Sequence, residues 1–306
     1  MRFLFISDES GDDGLKFKEF DPIDIRKSEV TTHKVVLGIL LPDLQSQVRI
    51  PHDQLLKDFL SRIDVLSTKH LGHPLRKWSN LKKHNKAASA LIPFFQDLHK
   101  EFEIANVLIS VAIIDKRFFD KAKEVEKETI RGYVVLYKRV IPFLKWLYFQ
   151  CKWSGPPNLS WYIDKASNRN FVGNLRYEIA ILSKNDIKLD GPHFLSKPKK
   201  ETSERRTYSK LVVLSDFIAG AINRFLKEYY QKCFSLVCPN CFDNSEICIN
   251  DYFPLWKEIW SIASTFSIAS KRTKDTWQWR GILYLPSFHR RDFDVKRFIG
   301  FDPFFR

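Results

Sequence analysis

Residues 3–12 of this 306-residue chain read Phe-Leu-Phe-Ile-Ser-Asp8-Glu9-Ser10-Gly11-Asp12, an apolar run of strand length that breaks into acids. A strand of that composition is buried, and its last residues emerge at a sheet edge, where the Ser-Gly pair lets the chain reverse. Carboxylates crowded at such an edge repel one another unless a cation lies between them, and hard divalent ions prefer oxygen ligands. Two further acids stand in comparable settings. Asp164 ends the run Leu-Ser-Trp-Tyr-Ile-Asp, and Asp216 sits among apolar residues of a helical stretch. A carboxylate there is costly unless it is paired or bound to a cation.

In a two-metal site, one cation activates water and the other stabilises the leaving oxygen of an in-line phosphoryl displacement. On that reading Asp8 bridges two Mg²⁺ or Mn²⁺ ions, Asp164 and Asp216 flank it, and Glu9 completes the shell or orients water. Alternation along a strand sends Glu9 to the opposite sheet face if the strand continues through it. Asp164 could instead cap the helix that follows, and Asp216 could pair with Arg224 or cap a loop. Lys77 lies in a basic stretch and could contact phosphate or offset transition-state charge; a solvated lysine is the plainer reading. His70 and His73 have the His-x-x-His spacing of a metal pair but no carboxylate set in sequence beside them.

A second constellation is Cys233-x4-Cys238-Pro-Asn-Cys241-x6-Cys248. Four thiolates in one short loop can close a tetrahedral structural Zn²⁺ site, and the metal would supply folding energy to a segment with little core of its own. Free thiols are the alternative, since the outer spacings are irregular. Cys151 reads as core.

These residues need elements to hold them. Apolar runs predict strands over 2–8, 33–41, 104–114 and 159–164, with a fifth over 187–195 interrupted by Gly191-Pro192. Helical spacing marks 52–66, 86–101, 118–150 (with Pro142 inside it), 168–184 and 210–230; 67–86 and 197–206 read as basic connections. The order is two strands, an insertion over about 42–103, then strand, helix, strand, helix, strand, helix. That order predicts a mixed α/β sheet flanked by helices, and it is similar to the ribonuclease H-like fold. In that fold, acids at the ends of the first and fourth strands and one from the last helix converge on a metal pair. Asp8, Asp164 and Asp216 hold those places.

Charge says what such a centre would act on. Lys and Arg number 50 against 36 Asp and Glu, a net +14, yet residues 1–50 carry seven basic and nine acidic side chains. Residues 67–86 carry six Lys/Arg and no acid. An acidic centre inside a basic chain suits a metal-dependent enzyme whose partner is a polyanion, above all nucleic acid. No apolar stretch approaches membrane-spanning length, which argues against a membrane protein. The start directly on a strand and the uneven cysteines predict a cytoplasmic protein rather than a secreted disulfide framework.

The quoted residues resemble the bacterial family called domain of unknown function 3800. Its members open with a strand running into Asp-Glu-Ser-Gly-Asp, here Asp8 to Asp12, and carry a Lys-Trp-Ser-like element, here Lys77-Trp78-Ser79. A strand ending in Asp follows, here Tyr162-Ile163-Asp164. Their last helix reads Leu-Gln-Leu-Ala-Asp-Leu-Ile-Ala-Gly, and Leu211 to Gly220 is its counterpart, with Val213 for the Gln and Ser215 for the Ala. The resemblance covers residues 1–230. It implies a ribonuclease H-like fold and a metal-dependent nuclease activity on RNA or DNA, often in phage defence. There a homo-oligomer or a partner protein of the defence system is expected. The competing reading is a non-catalytic nucleic-acid-binding or regulated effector subunit. The expected organisation is a ribonuclease H-like domain over 1–230, a Cys-rich loop over 231–250 and a basic, aromatic C-terminal extension over 251–306. Aromatics among basic residues in that extension, from Trp256 to Phe305, could stack nucleic-acid bases or form a packing lobe.

Overall fold

A computed structural model of the chain describes residues 2–12, 14–19, 30–42, 52–116, 119–151, 155–164, 169–182, 187–195, 203–232, 258, 266–269, 276–279 and 282–285. The strands are β1 (Arg2–Ser10), β2 (His33–Pro42), β3 (Leu108–Asp115), β4 (Asn158–Asp164), β5 (Lys188–Leu195), β6 (Phe266–Ala269), β7 (Thr276–Trp279) and β8 (Ile282–Leu285). Six of them make a central sheet in the order β5-β4-β1-β2-β3-β8. β1, β2 and β3 form an antiparallel meander, while β4 lies parallel to β1 and β5 parallel to β4. β6 and β7 pair separately as an antiparallel ribbon.

Among the described residues, five α-helices complete the mixed α/β architecture: α1 (His52–Leu71), α2 (Ala88–Ile104), α3 (Ala122–Cys151), α4 (Arg169–Leu182) and α5 (Ser203–Lys232). Alternation along β1 divides the core. Leu4 and Ile6 join α1, α2 and α5 in one apolar cluster, whereas Phe3 and Phe5 join α3 and α4 in the other. β1 therefore has helices over both faces, which is why it reads as a continuous apolar run instead of an alternating one. The layering also assigns the acids: a side chain in phase with Leu4 and Ile6 faces α5, and one in phase with Phe3 and Phe5 faces α3.

Several boundaries differ from the sequence expectation: α1 runs on to Leu71 instead of ending at 66, and α3 begins at Ala122 instead of 118. β1 continues to Ser10, past the acid pair, because its antiparallel pairing with β2 runs on to Ser10 opposite Val35. β3 begins at Leu108, not at residue 104, because α2 extends to Ile104 and closes with Asn106 in the left-handed region (φ 51°). The Val107 and Asn106 N–H groups donate to the Phe102 and Glu103 carbonyls, a Schellman closure that asparagine tolerates well. The basic connection from 197 is shorter than expected, since α5 starts at Ser203. From the C-terminal extension, β8 adds to the sheet in parallel with β3, Ile282 standing opposite Val111.

Candidate functional site

Parallel pairing of β1 with β4 sets Ser7 opposite Ile163. The next residues, Asp8 and Asp164, thus leave adjacent strands at the same edge of the sheet. Asp8 is in phase with Leu4 and Ile6, on the face covered by α5, and α5 carries Asp216. Asp8 is 5% exposed. Its Oδ1 accepts the Glu9 backbone N–H at 2.8 Å, while its Oδ2 is buried with no hydrogen-bond partner. Burial, followed by the charges of Asp164 and Asp216, pushes the Asp8 carboxyl well above the usual carboxylate range. Three acids from segments far apart in sequence therefore lie within electrostatic reach of one another.

The other two are held by the segment between α1 and α2. The Lys77 ammonium donates to Asp164 Oδ2 at 2.5 Å. Burial alone would lower the Lys77 pKa; the hydrogen bond and charge of Asp164, with Asp8 and Asp216 behind them, raise it on balance. Trp78, which opens a short 3-10 turn (Trp78–Asn80), donates its backbone N–H to Asp216 Oδ2 at 2.6 Å. Burial again leads in raising the Asp216 carboxyl, with this N–H and Lys77 opposing it. Asp216 thus caps the turn that Trp78 opens, the loop-capping role that is one alternative for it.

Trp78 is seated by its own packing. Its indole meets Phe217 edge-on at 5.7 Å between centroids, and the Lys86 ammonium lies 5.3 Å from its centroid on the ring face. It also rests on Gly220, one helical turn after Asp216. A Cβ built at Gly220 would collide with Trp78 Cγ and come within 2.5 Å of Trp78 Cβ. Asp216 and Gly220 are therefore one device: the glycine admits the tryptophan whose N–H holds the acid.

Glu9 stands apart. It is out of phase with Asp8, and its carboxylate receives the Lys34 ammonium at 2.9 Å and the Tyr133 hydroxyl at 3.3 Å, on the α3 side of the sheet. Burial, then the charges of Glu9 and Asp8, raise the Tyr133 phenol well above its usual range. Glu9 is placed to anchor the end of β1 between β2 and α3, and not among the three aspartates. Asp12 closes the same turn: fully buried Lys116 reaches its Oδ1 and backbone carbonyl at 3.1 Å, and Thr31 donates to its Oδ2. Gly11 takes φ +103°, and a Cβ there would lie 2.6 Å from the His33 carbonyl oxygen. The Asp-Glu-Ser-Gly-Asp run thus combines one site acid with two structural ones.

His70 and His73 have separate partners. His70 Nε2 is 2.9 Å from Asp97 Oδ2, and His73 lies against the Pro74 carbonyl and Asn85 Nδ2. Cys233, Cys238, Cys241 and Cys248 lie outside the described residues. So do residues 165–168, where a helix cap by Asp164 would form.

Lys34, Tyr133, Lys86 and Asn223 are invisible as site neighbours in the sequence, because each arrives from a remote element. Asn223, two turns beyond Asp216 on α5, is 5% exposed with neither side-chain polar atom hydrogen-bonded, and its Nδ2 lies against Gly11. Its spacing of seven from Asp216 is the one available signal.

Whether these residues suit a divalent cation can be judged from the donors. Hard carboxylate oxygens, one of them buried and unpartnered, are the ligands Mg²⁺ and Mn²⁺ take. The set is not drawn together as a cage: among the described residues no group of three or more His, Cys, Asp or Glu is arranged to hold a metal ion. Lys77 supplies the positive charge at Asp164 instead. The chemistry of the donors fits a divalent cation, with Asp8, Asp164 and Asp216 as the residues that would hold it. No helix among the described residues is long and apolar enough to cross a membrane. Compared with protein-family models and with curated proteins, the chain matches none.

Proposed function

We propose that this protein is a divalent-metal-dependent nuclease of ribonuclease H-like fold, related to the domain of unknown function 3800 family, with Asp8, Asp164 and Asp216 at its centre. The observation that carries the reading is Asp8: a buried carboxylate with one oxygen unpartnered, facing two more acids delivered by β4 and α5. Uncompensated, that arrangement is destabilising, so its natural complement is a cation. The adjacency of the β1 and β4 ends and the position of Asp216 on the last long helix support the ribonuclease H-like assignment.

In this reading Asp8, Asp164 and Asp216 would hold Mg²⁺ or Mn²⁺, which would supply activation of water and stabilisation of the leaving oxygen. The chain's own residues do the rest. Asp8 is kept out of bulk water and Asp216 partly so, which strengthens their hold on positive charge. The Trp78 N–H fixes one oxygen of Asp216. Lys77, on Asp164, is poised to transfer its ammonium to a phosphate oxygen as a substrate arrives. The basic surroundings draw in a polyanion.

The Lys77–Asp164 pair favours a second reading as well, a nucleic-acid-binding subunit that satisfies its acids without metal. Cleavage assays separate the two. RNA, single-stranded DNA and duplex DNA are incubated with Mg²⁺ or Mn²⁺ and either wild type or Asp8→Ala. Metal-dependent cleavage that disappears in the variant is expected. Cleavage that persists in Asp8→Ala rejects the assignment, and binding without cleavage by wild type selects the second reading.

A further inference from the structure

Resting on the nucleic-acid reading above, we propose that Arg76, Lys82 and Lys83 form a rim that binds the phosphodiester backbone of a nucleic acid strand beside the acidic centre. All three are exposed. None of their side chains has an ion pair, hydrogen bond or ring contact among the described residues. Four cations on the adjoining helices are paired. Lys69 and Lys100 both reach Asp97, Arg62 reaches Glu101 and Lys210 reaches Asp64. Arg76, Lys82 and Lys83 stay open, as do Lys57 on α1 and Lys121, Lys123 and Lys127; what sets the three apart is their place beside the acidic centre.

The rim is also joined to the site at both ends. Lys77, adjacent to Arg76, sits on Asp164, and Lys86, just past Lys83, lies on the Trp78 ring and acts electrostatically on Asp216. Between them the backbone is tied down. Leu81 and Asn85 are buried, and Asn85 Nδ2 donates to the Leu71 carbonyl. Ser67 Oγ donates to the His73 carbonyl at 2.9 Å. A backbone held this firmly presents its cations with little ordering left to do on binding. Phosphates neutralised by unpaired Lys and Arg release condensed counterions, which gives affinity without reading sequence. The rim therefore suits a phosphodiester chain of any sequence.

The test is fluorescence anisotropy with short labelled RNA and DNA oligonucleotides in EDTA, where cleavage does not intervene, across about 50 to 200 mM salt. Wild type is compared with Arg76→Glu/Lys82→Glu/Lys83→Glu and with Lys121→Glu/Lys123→Glu/Lys127→Glu. The second set makes the same charge change on exposed residues at the start of α3, on the opposite face of the sheet. The rim variant is expected to bind at least about tenfold more weakly. Its log–log salt slope should be shallower by about 2, at near 0.7 for each single-strand phosphate that is no longer neutralised. The α3 variant is expected to keep most of the affinity and the slope. The Gln triple at the rim, with thermal unfolding as a check on folding, should fall between wild type and the Glu triple. Equal losses from rim and α3, an unchanged slope at the rim, or no binding by wild type at the lowest salt would overturn the proposal. Because the assay needs no metal, loss of the nuclease reading through an active Asp8→Ala leaves this outcome separately readable.

Discussion

Replacing Gly220 by alanine tests how the site is assembled. In an exposed helix interior the change would gain about 1 kcal/mol, because glycine is the poorer helix former. Here the new methyl meets Trp78 at Cβ and Cγ, close to its backbone, so the indole cannot simply rotate away. Overpacking a core costs about 1–3 kcal/mol, and a collision with atoms this near the main chain belongs in the upper half of that range. The net expectation is a loss of about 1–2 kcal/mol, which for a domain of this size lowers Tm by about 2–8 °C. The partner experiment is a double-mutant cycle with Trp78→Ala, followed by urea unfolding monitored by circular dichroism. Once the indole is gone, Gly220→Ala should be neutral or stabilising, giving a coupling of about 1–3 kcal/mol. In a Trp78 background the same substitution should also reduce metal-dependent cleavage, because it displaces the N–H that holds Asp216. A Gly220→Ala effect of the same sign and size in both backgrounds would refute the fit between glycine and tryptophan.

Two further outcomes follow from the acids and the thiols. The folded pKa of Asp8 is raised well above the usual carboxylate range, so in metal-free protein its contribution to stability is greatest below the unfolded pKa and is lost as pH rises through the folded one. Asp8→Asn should therefore melt above wild type at pH 7 in EDTA, with the gap closing as the pH falls toward about 4, the unfolded carboxyl range. Adding Mg²⁺ or Mn²⁺ should reverse the order, since a ligand at about 100 times its Kd stabilises by about 2.7 kcal/mol only the form that binds it. A variant that matches wild type at every pH, with and without metal, would show that Asp8 carries no such strain. For the Cys-rich loop, elemental analysis of purified protein should find one zinc per chain, lost in Cys238→Ala; zinc retained at full stoichiometry in that variant would reject the Cys₄ assignment.

Much of the framework was legible because its signals are local. The apolar runs ending in Asp8 and Asp164 read as strands, since a strand covered on both faces has no polar side to show. Even the division between Asp8 and Glu9 followed from alternation along a strand, once the strand was taken to continue past them. Helix spacing likewise marked α5 and the apolar neighbours of Asp216. What local pattern cannot carry is which remote group meets each acid. Lys77 and Asp164 are 87 residues apart, and Trp78 and Asp216 are 138 apart. Nothing in the composition of either segment names its partner, because such pairs are set by how layers stack. The same holds for Gly220, whose missing side chain has meaning only beneath an indole, and for β8, whose place beside β3 depends on a sheet edge built by other segments. The sequence by itself determined the acids, their strands and the basic surroundings. Tertiary packing alone decided that Asp164 and Asp216 come within electrostatic reach of Asp8, that Lys77 sits on Asp164 and that Trp78 holds Asp216, because only stacking a helix across a sheet edge brings side chains from distant turns into contact.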